Sequence, residues 1–374
     1  QHEAAVAAAS AALDAPGIGA AQRLRLLDLR AESRCALDEH AAALDDARLM
    51  LQLAGTQRGH APRVQALCRL AAVLMRAGQV GPAREHAAEA LALAGRAGDP
   101  ALEATALLRL AEAQFRSFDN AGALRHAHRA AALFEAQGDR VHQGRALWAS
   151  AYALDQLNRA AERDRDAARA LELARAAGDQ EGIGAATNLL YREHADMGLR
   201  LKGLNQALAA FTVAGQLDRA NAVIGNLTMA YASLGLYSRA RRVGMRVPAA
   251  GRANHPYSAG LMSVIEGHLG HREAARHHAE VALAARGDLV EPWFEAMARL
   301  IAGRVARLYG ESAAAREHFH AAEERAGNGD VPGQPVHGAP GRQPQRTEQR
   351  AAAGGRHQEA ERVRTAPEHL GRED

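Results

Sequence analysis

Glycine–aspartate pairs recur in this sequence at a constant interval. They are Gly98-Asp99, Gly138-Asp139 and Gly178-Asp179, and the second and third pairs each follow the one before at the same distance along the chain. Glycine ends helices because it adopts the left-handed backbone conformation without a steric penalty, and aspartate caps the first turn of the helix that follows. Each pair therefore predicts a helix end next to a helix start, and the constant interval predicts a chain built from repeated structural units.

A second break falls about halfway through each unit. Most of these breaks are glycines, and aspartate, phenylalanine or asparagine takes the place of glycine in the others. Each unit is therefore predicted to be a hairpin of two antiparallel helices. The predicted hairpin centres are Asp38, Gly78, Phe118, Asn158, Gly198, Gly235, Gly270 and Gly310.

Small residues at fixed positions indicate how the two helices of a unit pack. Alanine stands five residues after the break at Ala83 and Ala123, and again seven residues later at Ala90 and Ala130. Seven residues are two helical turns, so the two alanines of each unit share a face of the second helix. Small side chains there allow the first helix to approach closely.

The core is predicted to consist mainly of alanine and leucine. Leu67, Leu70, Ala71 and Leu74 have the i, i+3, i+4, i+7 spacing of an amphipathic helix. Hydrophobic residues make up 48% of the chain but aromatic residues only 4%, a composition that suits helix–helix packing better than a β-sheet. We therefore predict an all-α fold.

The segment 67–91, with Gly78, Ala83 and Ala90, resembles a tetratricopeptide repeat. Its unit, of about 40 residues, is longer than the family's usual length of about 34. The resemblance implies a right-handed superhelical solenoid of about eight antiparallel hairpins, in which the first helices line a concave surface. Extended repeats of this kind are similar to the helical arms of large bacterial regulators that carry an ATPase or nucleotide-cyclase domain, and to those of LuxR-type transcription activators.

We predict three segments along the chain. Residues 21–326 form the solenoid, and residues 1–20 are the end of a truncated preceding repeat. Residues 327–374 contain no Ile, Phe, Trp, Tyr or Met, so they cannot bury enough apolar surface to offset their chain entropy and are predicted to be disordered. Two origins fit the composition of this tail, namely a natural flexible linker and an end translated out of frame.

Some positions depart from the repeat pattern. Arg163 and Gly203 stand where alanine is expected. The dipeptide Val247-Pro248 ends a helix early, because proline cannot continue it. We therefore expect an irregularity in the superhelix around residues 245–258.

Charge and hydropathy disfavour two classes of partner. The formal net charge is +3, with basic residues dispersed among acidic ones, whereas a nucleic-acid binder shows a basic stripe. No apolar run is long enough to span a membrane. Cys35 and Cys68, the two cysteines, form no metal-like cluster or disulfide framework, which predicts a cytoplasmic location.

The motifs of catalysis are missing from the sequence. No glycine-rich loop ends in Gly-Lys-Ser/Thr, and no His-Glu-x-x-His occurs. The adjacent pair His277-His278 points in two directions on a helix, so it does not converge on one metal ion. We therefore expect neither catalysis, nor a cofactor, nor a bound metal ion.

Residues of the first helices that point away from the hairpin partner are available to a ligand. Trp148 and Tyr152 are four residues apart and share a face, and aromatic residues with arginine are typical anchors of protein interfaces. The alternative for Trp148, and for Phe115, is that they only fill gaps between repeats. The candidates for a protein-binding groove are Glu112, Arg116, Trp148, Tyr152, Asn188, Arg192, Met229, Arg304 and Arg307.

The predicted function is that of a non-catalytic scaffold or regulatory arm, which binds a peptide or protein segment in the concave groove. The alternative is the ligand-sensing arm of a bacterial transcription regulator, signalling ATPase or nucleotide cyclase, with an ATPase, cyclase or DNA-binding domain attached outside this chain. In both cases the partner is a protein, and we expect no membrane binding and no direct binding of nucleic acid.

Overall fold

The computed structural model describes residues 2–247, 256–284 and 292–327. These residues form helices and turns, with no strand among them. The helices, numbered in chain order, are α1 (His2–Asp14), α2 (Ala20–Ala36), α3 (His40–Ala54), α4 (Ala61–Arg76), α5 (Val80–Ala97), α6 (Pro100–Arg116), α7 (Asn120–Ala136), α8 (Arg140–Gln156), α9 (Ala160–Ala177), α10 (Gln180–Tyr191), α11 (Met197–Ala214), α12 (Leu217–Ser233), α13 (Tyr237–Gly244), α14 (Pro256–His268), α15 (Arg272–Ala284), α16 (Pro292–Leu308) and α17 (Ser312–Gly327).

Successive helices pack as hairpins, and the hairpins stack on one another. Each even-numbered helix from α2 to α16 packs on the odd-numbered helix that follows it, which makes eight hairpins among the described helices. The first helices also pack on each other, α2 on α4, α4 on α6, α6 on α8 and α8 on α10, whereas the second helices α3, α5, α7 and α9 have no comparable contact with one another. The first helices therefore line the inner, concave side of the solenoid.

The turns within the hairpins confirm most of the predicted breaks. Asp38, Phe118 and Asn158 have φ angles of 68°, 62° and 57°, so these three residues adopt the left-handed conformation that Gly78 adopts at the equivalent position of its hairpin, with a φ of 79°. The break predicted at Gly198 is wrong, because this glycine lies inside α11. The turn before α11 instead ends at Asp196, whose carboxylate accepts a hydrogen bond of 2.9 Å from the backbone N–H of Leu199.

The small residues lie where the helices of a hairpin meet. Ala83, Ala90, Ala123 and Ala130 are all fully buried, as their spacing predicts. The close approach that they permit is what allows a core with few aromatic side chains to be densely packed.

The departures from the repeat pattern have local explanations. A Cβ atom on Gly203 would lie 2.1 Å from Cγ of Tyr191, so glycine leaves the space that this tyrosine ring fills. Arg163 donates a hydrogen bond of 2.8 Å to Asp155, outside the core. Helix α13 is only eight residues long, in agreement with the predicted early end, while residues 248–255 of the expected irregularity lie outside the described residues.

The solenoid returns to its own beginning after six hairpins. Helix α12 packs against α2. Arg76, at the end of α4, donates hydrogen bonds to Asp218 (2.8 Å) and to Gln216 (2.9 Å) at the start of α12. The ring of His2 also lies 3.1 Å from the carbonyl oxygen of Ala214. The first helices from α2 to α12 therefore surround a common interior.

Two further features bear on the sequence predictions. None of the described helices is both long enough and apolar enough to cross a membrane. The tail predicted to be disordered, residues 327–374, lies outside the described residues beyond Gly327.

Candidate functional site

Charged side chains of the first helices meet on the concave side of the solenoid. Arginines and carboxylates alternate there from α2 to α12, and most of them are only partly exposed. We call this set the interior network. Its members are Asp28, Glu32, Arg69, Arg76, Arg109, Glu112, Arg145, Glu181, Asp218 and Arg219.

The first part of the interior network joins α2, α4 and α6. Arg69 on α4 donates hydrogen bonds to Asp28 (2.5 Å) and Glu32 (3.1 Å) on α2. Because Arg69 lies next to Glu32, the pKa of this carboxyl group is lowered even though burial opposes the shift. Arg109 stands one repeat after Arg69 and pairs with Glu112 at 2.6 Å. Equivalent arginines of two successive repeats therefore carry paired charges along the concave side.

Glu181 on α10 is the carboxylate at the centre of the second part. Arg145 on α8 and Arg219 on α12 each lie 3.1 Å from its carboxylate oxygens. Burial raises the pKa of Glu181, but Arg219, Arg145 and further arginines outweigh burial and lower the pKa to about 2. The carboxylate therefore stays ionised at neutral pH and links three first helices.

Two openings lie along this surface. A small pocket, with room for about one water molecule, is lined by Arg109, Glu112, Arg145, Trp148 and Glu181 among other residues. A cavity of about 430 Å³ extends between α2, α4 and α6, and Arg109 lines it as well. A cavity of this size is in the range of ligand pockets.

Cys68 lies on the wall of the larger cavity. Burial raises the pKa of its thiol to about 12, and Cys35 is also buried with a raised pKa. Because the thiolate is the nucleophilic form, neither cysteine is activated at neutral pH.

An aromatic cluster borders the small pocket. Phe115 is 2% exposed and stacks on Tyr152 at a centroid distance of 4.5 Å, with Trp148 edge-on at 5.8 Å. The guanidinium groups of Arg192 and Arg219 lie 4.8 Å from the ring of Tyr152 and 5.9 Å from that of Trp148. Phe115 is thus a core residue, in line with the alternative that it fills a gap between repeats. Trp148 and Tyr152 are only partly buried.

Two asparagines on neighbouring first helices form an amide pair. Asn226 on α12 donates a hydrogen bond of 2.9 Å to the side-chain oxygen of Asn188 on α10. Both residues are partly buried. The pair leaves one amide N–H₂ group, on Asn188, and one amide oxygen, on Asn226, for other partners.

The remaining predicted groove residues are distributed differently. Arg116 is exposed, with its guanidinium group 5.6 Å from the ring of Phe115. Met229 is partly buried on α12. Arg304 and Arg307 are exposed on α16, which packs on α14, α15 and α17 and contributes nothing to the interior network. The structure thus brings Glu112, Trp148, Tyr152 and Arg192 together around the small pocket and the aromatic cluster, but not the two candidates on α16.

Sequence reasoning missed five arginines of this surface, namely Arg69, Arg76, Arg109, Arg145 and Arg219. One signal was available, because Arg69 and Arg109 occupy the same position in successive repeats. Arg76 and Arg116 are spaced by one repeat in the same way. No signal in the sequence predicts that Arg76 meets Asp218, which is 142 positions away.

A serine, a histidine and an aspartate also meet between α7, α8 and α9. The Ser150 hydroxyl lies 2.5 Å from Asp166 and 2.8 Å from Nε2 of His128, but the same nitrogen is also the one nearest Asp166, at 3.1 Å. In a catalytic triad the histidine uses one nitrogen for serine and the other for aspartate. Ser150 is also fully buried, so this cluster joins helices. Among the described residues no group of histidine, cysteine and carboxylate side chains is arranged to hold a metal ion.

Comparisons with protein-family models and with curated proteins find no match. Solved structures do resemble the chain. It is similar to a Rap protein complexed with competence and sporulation factor, with a TM-score of 0.61, 15% identity, and coverage of 81% of this chain and 86% of the other. It is also similar to NprR in complex with its cognate peptide NprX (TM-score 0.53, 13% identity, 80% and 88% coverage).

A third similar structure is aspartyl phosphate phosphatase F from Bacillus subtilis, with a TM-score of 0.53, 13% identity, and coverage of 76% of this chain and 74% of the other. At sequence identities this low, the structural similarity establishes the fold and no more. The chain is an all-α, tetratricopeptide-like superhelical solenoid, as its sequence predicts.

Proposed function

We propose that this protein is a regulatory scaffold that binds a peptide or protein segment on the concave surface of its solenoid, residues 21–326. The observation that carries the proposal is the set of polar and aromatic side chains that α6, α8, α10 and α12 present on one surface. Such a surface can hold a segment along several helices at once, which is how helical repeats are used in recognition.

The aromatic cluster offers an anchor for an apolar side chain of the ligand. Tyr152 is stacked on Phe115 and Trp148 packs edge-on against the same ring, so both side chains are held in place before a ligand arrives. Rigid aromatic residues flanked by arginine lose little conformational entropy on binding and are common hot spots of interfaces.

The amide pair offers recognition of the ligand's main chain. The free amide donor of Asn188 and the free amide oxygen of Asn226 match the carbonyl and N–H groups of an extended peptide. Main-chain recognition of this kind provides affinity without requiring a particular side chain, which leaves specificity to the neighbouring pockets.

The comparisons support a peptide as the ligand. Two of the similar structures are complexes, one with competence and sporulation factor and one with the peptide NprX. We also propose that the protein is a bacterial, cytoplasmic regulator. One similar structure is named a phosphatase, so the fold itself does not exclude catalysis, and the non-catalytic role is part of this proposal. No observation on the described residues favours the alternative of a sensing arm with an attached effector domain.

Selection from a random peptide library against the full chain tests the proposal. We expect sequences to be enriched, and we expect Tyr152→Ala or Asn226→Ala to weaken binding of an enriched peptide by about tenfold or more. Glu85→Ala, on an exposed position of the second helix α5, is the matched control and should bind normally. Thermal melts of each variant separate lost binding from lost folding. A library in which nothing is enriched above the empty support contradicts the proposal.

A further inference from the structure

We infer that the segment bound on the concave surface is acidic. This inference rests on the proposed function and names the chemistry of its ligand. It follows from the balance between arginines and carboxylates on the first helices, from the hydrogen-bond donors that this balance leaves unused, and from the repeat positions of the arginines concerned.

The interior network holds as many carboxylates as arginines, so the charge balance of the concave surface depends on the charged residues around the network. Each carboxylate of the interior network is paired with an arginine, and Asp155 pairs with both Arg163 and Arg192. Arg25 lines the larger cavity and Arg116 lies over Phe115, yet neither pairs with a carboxylate among the described residues. The surplus charge of this surface is therefore positive.

Buried arginine donors are also left without acceptors. The Nε atoms of Arg145 and Arg192 are buried and make no hydrogen bond with a described residue. The nearest carboxylate to Nε of Arg145 is that of Asp179, at 3.9 Å, which is too far for a hydrogen bond. One acceptor of the network, Oδ1 of Asp218, is unpaired as well. Unpaired buried groups are costly, so the carboxylates around Arg145 and Arg192 do not satisfy these two guanidinium groups completely.

The repeat spacing places Arg25 and Arg116, the arginines without a carboxylate partner, on the same side of the solenoid as the interior network. Arg25, Gln65, Thr105 and Arg145 occupy the same position in four successive repeats, and all four line one or the other of the two openings. Arg116 likewise stands one repeat after Arg76, a member of the interior network. The lowered pKa values of Glu32 and Glu181 are consistent with a positive potential along this surface.

Repeating the library selection with a charge-reversed surface tests the inference. The test variant combines Arg25→Glu with Arg116→Glu. The matched control combines Arg84→Glu with Arg125→Glu, because these arginines are exposed on the second helices α5 and α7. Both variants change the net charge equally, and all four positions are exposed, so folding should be retained.

We expect the unmodified chain to enrich peptides that carry two or more Asp or Glu residues. The affinity for such a peptide, measured by fluorescence anisotropy, should fall at least about fivefold in the test variant and less than about twofold in the control. Enriched peptides that are neutral or basic, or an equal loss of affinity in both variants, overturn the inference and leave the proposed function standing. If no peptide is enriched at all, the proposed function fails and the inference fails with it.

Discussion

A guanidinium nitrogen of Arg76 lies 2.6 Å from a carboxylate oxygen of Asp218, although the two residues are 142 positions apart in the sequence. Their side chains are 17% and 14% exposed, so water screens the ion pair only in part. The pair joins the second hairpin to the sixth and, with the contact between α2 and α12, holds the intervening first helices around a common interior.

Removing this ion pair should loosen the closure of the solenoid. In Arg76→Met, Asp218 loses the partner that offsets its desolvation, which disfavours the closed arrangement. Spin labels on Ala77→Cys and Leu217→Cys can report the distance by pulsed electron resonance, since both native thiols are buried. We expect a longer or broader distance distribution, and recovery when Arg76→Asp is combined with Asp218→Arg. An unchanged distribution in Arg76→Met would mean that helix packing alone closes the solenoid.

Replacing a turn glycine and replacing a helical glycine by alanine should change the free energy of unfolding in opposite directions. Gly98 ends α5 with a φ of 65°, so Gly98→Ala should destabilise the protein by about 1–2 kcal/mol. Gly95 is helical, and a Cβ there meets nothing within 4 Å, so Gly95→Ala should stabilise it by up to about 1 kcal/mol. Urea denaturation of both variants measures the change in the free energy of unfolding. A change in the same direction for both variants is incompatible with the observed turn.

Enlarging a buried alanine should be costly. Ala123 is fully buried between α6 and α7, and Ala123→Leu should lower the free energy of unfolding by about 1–3 kcal/mol because the hairpin is already closely packed. Ala132 is exposed on the same helix, so Ala132→Leu should change it by less than about 0.5 kcal/mol. Equal effects in a denaturant series would show that Ala123 does not limit the helix separation.

The fold could be predicted because its main determinants are local. The repeat interval predicts breaks at Phe118 and Asn158, and both residues lie in hairpin turns with φ angles of 62° and 57°. The interval does not hold at Gly198, because α10 ends at Tyr191 and the turn lies at residues 192–196. The ring of Tyr191 is in contact with Gly203 there. That contact depends on side-chain packing between two helices, which cannot be predicted from the spacing of the helix breaks in the sequence.

The site could be predicted only in part. Glu112, Trp148 and Tyr152 lie on the concave side because their positions within a repeat determine which way they face. The closure by Arg76 and Asp218 depends instead on the twist summed over several repeats, and a small error for each repeat accumulates along the solenoid. For the same reason Arg304 and Arg307, which satisfy the local pattern, do not join the interior network.

The packing of Tyr191 on Gly203 can be tested by coupling two substitutions. Gly203→Ala places a methyl group against the tyrosine ring and should destabilise the protein by about 1–3 kcal/mol. In the background of Tyr191→Ala the same change should cost little, because the obstructing ring is absent. The double-mutant cycle should therefore give a coupling energy of about 1 kcal/mol or more. Additive effects of the two substitutions would contradict this explanation of the glycine.

Photo-crosslinking tests most directly whether the concave surface is the binding surface. A photoreactive phenylalanine derivative is introduced in place of Tyr152 on the first helix α8 or, as a control, in place of Ala132 on the exposed face of α7. Each protein is irradiated with a labelled peptide obtained by library selection. Binding on the concave surface predicts strong labelling from position 152 that an excess of unlabelled peptide abolishes, and none from position 132. Equal labelling from both positions, or labelling from position 132 alone, would contradict binding on the concave surface.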